Sequence, residues 1–113
     1  MDADELQFRV AVGGGADGNV VAPRGELDIA TQGQLRAVLE QEAKNGSVTL
    51  DLTGLRFMDT SGLRLILETA AAARRDGFTF GVIPGPPAVQ RLFEIAGVSE
   101  LVPFVDAEEG GTP

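Results

Sequence analysis

Apolar residues change their spacing several times along the chain, and each change marks an element. Leu6, Phe8, Val10 and Val12 alternate with Gln7, Arg9 and Ala11, the period-two pattern of a half-buried strand. Gly13 to Gly18, with its Asp17-Gly18 pair, joins this segment to Val20, Val21 and Ala22, so the two read as a β-hairpin. The second strand is expected over Asn19 to Arg24, and Pro23, lacking a backbone donor, predicts a strand end or a bulge. Gly25-Glu26-Leu27-Asp28 reads as a loop with two carboxylates. Thr31 and Gln34 fit a capping box that opens a first helix over Gln32 to Ala43. Leu35, Val38 and Leu39 form its buried stripe, and Lys44-Asn45-Gly46 closes it with Asn45 or Gly46 left-handed.

Val48, Leu50 and Leu52 alternate with Thr49 and Asp51 as a third strand. A glycine turn, an aromatic plug at Phe57-Met58 and the tetrad Asp59-Thr60-Ser61-Gly62 follow. A second helix is expected from about Ser61 to Arg75, with apolar residues around most of its circumference and Gly77 as its stop. Phe78 to Ile83 reads as a fourth strand. Pro84 to Pro87 turns into a third helix with Val89, Leu92, Phe93 and Ala96 on its stripe and Gly97 at its end. Leu101 to Val105 is expected as a short fifth strand, placed at an edge by Pro103. The order is ββαβαβαβ: an α/β fold with a mixed, mostly parallel sheet of four to five strands packed with helices through right-handed crossovers. The 113 residues suit one domain, with an ordered core over about 6–106 and an acidic tail over 107–113.

Charge narrows the function. The formal net charge of −8 lacks the basic footprint of a nucleic-acid binder and disfavours an anionic membrane surface. A basic protein partner remains open. The chain has neither cysteine nor histidine, so the commonest metal ligands and the commonest general base are absent, and no cofactor is expected. The Gly13–Gly18 run is not a phosphate loop, since no GK[ST] follows and it opens into a strand. Ser61 has no base at hand and is not framed as G-x-S-x-G, so an enzyme is not expected. Residues 1–12 show no signal-peptide pattern and no apolar run reaches membrane-span length, which makes a cytoplasmic protein without direct membrane insertion the expectation.

The tetrad remains the chain's chemical feature. Asp59, Thr60 and Ser61 are favoured helix caps, and a cap contributes ~1 kcal/mol. One cap needs one such side chain, however, and three stand in a row. No Glu or Gln follows at the third position after Thr60 or Ser61, where Leu63 and Arg64 stand. At least one hydroxyl is left at a helix N-terminus, where backbone N–H groups favour a phosphate.

The stretch VTLDLTGLRFMDTSGL, preceded by GELD at Gly25 to Asp28, resembles the signature of the STAS domain family, in particular its anti-sigma factor antagonists. The resemblance spans about Leu6 to Asp106. It implies partner exchange: the unphosphorylated protein binds an anti-sigma factor that is a GHKL-type serine kinase, and the sigma factor is freed. Phosphorylation at Ser61 ends the complex, and a PP2C-type phosphatase resets it. The resemblance makes Asp28, Asp59, Thr60, Ser61, Gly62, Leu63 and Arg64 the expected partner-binding residues. Asp59 would orient the tetrad and touch the partner, with capping as its alternative role; Asp28 would support recognition or modification, with capping of the first helix as its alternative; and Gly62 would let a partner backbone approach. Two departures from the family are expected: a C-terminal helix that is shortened or absent, and Thr60 in place of a common serine, leaving a second candidate phosphosite. A non-switching STAS interaction module of a transport or signalling complex is the alternative, and a binder of nucleotides or anions at the sheet end is a third class without a motif.

Overall fold

The structure, a computed structural model, describes residues 7–15 and 18–105. Leu6, Asp17 of the expected hairpin turn, the acidic tail and the question of a last helix lie outside the described residues. Among the described residues, five strands and three helices follow one another as β1 (Arg9–Gly15), β2 (Gly18–Leu27), α1 (Gln32–Ala43), β3 (Ser47–Asp51), β4 (Leu55–Met58), α2 (Thr60–Asp76), β5 (Thr79–Ile83) and α3 (Pro87–Ala96). The expected mixed α/β class is what forms. β1 pairs antiparallel with β2, from Arg9 opposite Arg24 to Gly15 opposite Gly18, so the strands run on through glycines expected in the turn. β3 lies parallel to both β2 and β5.

β2 organises the sheet. Its first half, Asn19 to Val21, pairs with β3, and its last residues, Gly25 to Leu27, pair with β4. Pro23 therefore ends no strand. It falls in the gap between the two partners, where its missing donor leaves no ladder bond unmade. The register irregularity comes two residues later, between Gly25 and Glu26. The segment expected as a carboxylate loop is thus strand as far as Leu27. β4 is the element that sequence patterning missed: its four residues have the burial order buried, exposed, exposed, buried, which no period of two reveals. Phe57 is no plug, since it stands 48% exposed on that strand while Met58 is buried. Gly54 lets the chain step across β2, for a Cβ there would lie 3.0 Å from Arg24 Cγ and 3.2 Å from the Pro23 carbonyl oxygen.

Alternate residues of β2, namely Val21, Pro23, Gly25 and Leu27, are buried, while Arg24 and Glu26 are exposed. α1, α2 and α3 pack against the sheet on the face these buried residues line. The core joins Leu27, Leu35, Leu39, Leu50, Leu52, Ile66, Val82, Val89 and Phe93. α1 has its expected bounds but not its capping box, since Thr31 makes no side-chain cap bond. α2 buries Leu63, Leu65, Ile66, Ala70 and Ala73, while Ala71 is exposed, so its apolar girdle is a face rather than a full circumference. On α3, Val89 and Phe93 are buried but Ala96 is exposed. Gly77 and Gly97 end α2 and α3 with φ of 81° and 71°, the left-handed form glycine adopts without Cβ strain. The expected last strand is instead a 3-10 turn over Ser99–Leu101 and a single parallel bridge from Phe104 to Val82. Pro103 removes the donor a longer ladder would need.

Candidate functional site

β2 and β4 leave the sheet together, Leu27 beside Met58. The turns that follow, at Asp28–Ala30 and Asp59–Ser61, are therefore neighbours at the carboxyl ends of parallel strands, where open α/β sheets place their sites. The Asp59 N–H donates to the Leu27 carbonyl at 3.0 Å and fixes this approach.

Asp59 is the N-cap of α2, in an extended conformation. A single oxygen, Oδ1, accepts the Ser61 N–H at 2.9 Å, the Gly62 N–H at 3.4 Å and the Ser61 hydroxyl at 2.5 Å. Partial burial pushes the Asp59 carboxyl up, but hydrogen bonds from the Ser61 hydroxyl and from the N–H groups of Ser61, Gly62 and Ile29 outweigh it. They hold the group below the ordinary value of 3.8. At neutral pH a carboxylate thus sits in the mouth of α2, where the helix dipole favours it.

The other tetrad residues divide by exposure. Thr60 is exposed, Ser61 is half-buried and Arg64 is exposed. Gly62 and Leu63 are buried. A Cβ on Gly62 would lie 2.7 Å from Met58 Cγ and 2.8 Å from Leu27 Cδ2, so the space beside this glycine is filled by the protein's own core. Leu63, only 7% exposed, belongs to the same core.

Asp28 builds a second closed turn. Its Oδ1 accepts the Ala30 N–H at 3.0 Å and the Thr31 N–H at 3.1 Å. The Thr31 hydroxyl donates to the Glu26 carbonyl at 2.8 Å and accepts the Asp28 N–H at 2.9 Å. Asp28 thus prepares the start of α1 from three residues upstream, the work the capping box was expected to do. Between these tied residues stands Ile29, 80% exposed, which sequence reasoning passed over. Its signal was there: an apolar residue between two cap formers, off the stripe of the following helix.

Among the described residues, no group of acidic side chains could hold a metal ion, and no helix is long and apolar enough to cross a membrane. A groove of about 770 Å³ lies between α1 and α2, over Leu39, Leu65, Ala72 and Phe78, with no tetrad residue in its lining.

Residues 10–103 match the family model described as "Mlab, STAS domain". The chain belongs to the STAS domain family. A Paenibacillus polymyxa protein named anti-sigma F factor antagonist is 30% identical over 92 residues, 79% of each chain. Among solved structures, an anti-sigma factor antagonist from Mycobacterium paratuberculosis has a TM-score of 0.83 at 21% identity, covering 99% of this chain and 97% of that one. SpoIIAA in its unphosphorylated form has a TM-score of 0.69 at 22% identity, with 91% of each chain covered. The Bacillus cell fate determinant SpoIIAA in the phosphorylated form gives 0.64 at 21% identity, with 91% of this chain and 95% of that one covered.

Proposed function

We propose that this chain is an anti-sigma factor antagonist controlled by phosphorylation at Ser61. In its unmodified form it binds an anti-sigma factor serine kinase of the GHKL type and so frees a sigma factor. The phosphorylated form lets go, and a PP2C-type phosphatase restores it. The chain acts by binding and is not itself an enzyme. The observation that carries this reading is the Ser61 hydroxyl at the mouth of α2, beside the Asp28 turn, in a STAS chain whose relatives bear the antagonist name.

Phosphorylation adds about −1.5 to −2 charges at neutral pH. The added charge falls two residues from Asp59 and close to the Asp28 turn. In the free protein, water screens this crowding and the dipole of α2 favours the anion. In an interface that excludes water, the same crowding is stronger. A hundredfold loss of affinity requires only about 2.7 kcal/mol, comparable to one unit pair of like charges about 6 Å apart at an effective dielectric constant of about 20. Release therefore needs no refolding. Asp28, Thr60, Ser61 and Arg64 would meet the partner directly, with Asp59, Gly62 and Leu63 holding them in place.

A second reading, a STAS module that holds its partner constitutively, gains from the same geometry. Ser61 is already a hydrogen-bond donor in the cap and has a structural reason to be present without a kinase. The test is intact mass and peptide mapping after incubation with a cell extract of the source organism and ATP, with a pull-down from each sample. One phosphate on Ser61 that empties the bound kinase fraction is the expected result. An unmodified protein, or equal partner retention by wild type and Ser61→Ala under all conditions, rejects the switch in favour of the constitutive module.

A further inference from the structure

We propose that Asp59 is the positioning residue for phosphoryl transfer to Ser61: its carboxylate holds the hydroxyl proton and turns the free electron pairs of Oγ outward. The inference rests on the reading that Ser61 is the acceptor of a partner kinase. A serine hydroxyl has one proton and, on an exposed helix start, several rotamers. Here the proton is committed to Asp59 Oδ1 at 2.5 Å, and the same oxygen takes the Ser61 N–H at 2.9 Å. The two bonds tie side chain and backbone of one residue to one atom and select one rotamer.

The carboxylate is itself fixed. Its own N–H is bound to the Leu27 carbonyl, and the Gly62 N–H approaches Oδ1 from the helix side. Gly62 packs without a side chain against Leu27 and Met58, which seats the helix start close on the core. A nucleophile held in a single orientation removes part of the entropic barrier to reaction.

In the transfer step, a bond forms between Oγ and the γ-phosphorus of a nucleoside triphosphate held by the kinase. The bond from that phosphorus to its bridging oxygen breaks, and the nucleoside diphosphate leaves. The Oγ proton passes along the existing hydrogen bond to Asp59 and on to solvent. A carboxyl group held below its ordinary range does not keep that proton at neutral pH.

The test uses the full chain, the kinase recovered with it and magnesium ATP, with kcat and KM measured for Asp59→Asn and Asp59→Ser. Both replacements cap helices, so thermal melting should stay close to wild type. Asparagine offers only a neutral acceptor to the hydroxyl, and serine is too short to reach it. The expected result is a kcat lower by about tenfold for Asp59→Asn and about a hundredfold for Asp59→Ser, with KM little changed. A wild-type kcat in both folded variants overturns the proposal. So does a loss confined to KM, which would make Asp59 a contact only. If one variant fails to fold, the other decides by the same criteria. Absence of Ser61 modification in the wild type itself instead overturns the phosphorylation reading, and this inference with it.

Discussion

The starts of α1 and α2 are built from similar residues and end in different chemistry. Each follows a strand that ends in a buried residue, Leu27 or Met58, and each has an aspartate next in the chain. At α1 the aspartate lies three residues before the formal cap, and the Thr31 hydroxyl bridges the Glu26 carbonyl and the Asp28 N–H. At α2 the aspartate is the cap itself, and the neighbouring hydroxyls come one and two positions later, Thr60 exposed and Ser61 half-buried with its hydroxyl bound to Asp59. Moving the carboxylate from upstream of the helix to its cap changes which groups the hydroxyl engages: Thr31 bridges two backbone groups, whereas Ser61 donates to the carboxylate itself. The lesson is that capping and function are not alternatives here, since the cap is the device that would orient Ser61.

The first-turn glycines offer the most forceful way to break this comparison. A methyl group on Gly62 meets Met58 and Leu27 inside 3 Å, and Leu27 is fully buried. Gly62→Ala should therefore cost about 1–3 kcal/mol, as overpacking does, read as a lower urea midpoint at unchanged slope. A neutral substitution would mean that the start of α2 is free to move.

A smaller effect is expected at Ile29. Its 80% exposure on a turn with tied polar groups gives an apolar anchor next to Asp59, whose carboxylate takes the Ile29 N–H. Ile29→Ala should weaken partner binding by about tenfold, while stability stays within about 0.5 kcal/mol. Ile95, 73% exposed on α3, is the control, and its alanine variant should bind as wild type does. Equal loss from both would remove the special status of the Asp28 turn.

Gly33, at the second position of α1, stands in the opposite situation to Gly62, since a methyl group placed there would meet nothing within 4 Å. Gly33→Ala should stabilise by roughly 0.5 kcal/mol, because alanine loses less backbone entropy in a helix. A rise in urea midpoint for Gly33→Ala beside a fall for Gly62→Ala would sharpen the contrast between the open and the packed helix start.

Much of this was legible in the chain. The helices announced themselves through apolar spacing and glycine stops, and α1 has the bounds its pattern predicts. The tetrad stood out because three cap formers exceed the need of one helix. The misses have local causes. β4 was hidden because two consecutive exposed residues, Arg56 and Phe57, break the alternation where β2 also shifts register. The Thr31 box failed because its hydroxyl found the Glu26 carbonyl, a partner set by the preceding strand and not by helical spacing. Gly62 carries no sign in the sequence that Leu27, far away along the chain, fills the space beside it. Ile29 carried a signal in its place between two cap formers, but its exposure is a property of the fold.

The smallest effect is a shift in an acid titration, and it probes the hydrogen bond on which the Ser61 proposal depends. Partial burial opposes ionisation of Asp59, yet the Ser61 and backbone bonds leave its folded value below the ordinary 3.8. A carboxyl depressed by folding adds stability at every pH above its unfolded value, and that contribution fades as pH falls from about 3.8 through the folded value. Ser61→Ala deletes the hydroxyl donor and keeps the backbone donors, so the Asp59 midpoint should move up toward 3.8, with the carboxyl still ionised at neutral pH. The carboxyl carbon of Asp59, followed by NMR from neutral to acid pH, reads the shift directly, and melting at low pH reads its energetic consequence. Thr60→Ala supplies the comparison, since the exposed Thr60 hydroxyl makes no hydrogen bond to Asp59 among the described residues and should leave the midpoint where it is. Identical curves for Ser61→Ala and wild type would mean that the hydroxyl is not held by Asp59 in solution, and a serine that is not held cannot be presented.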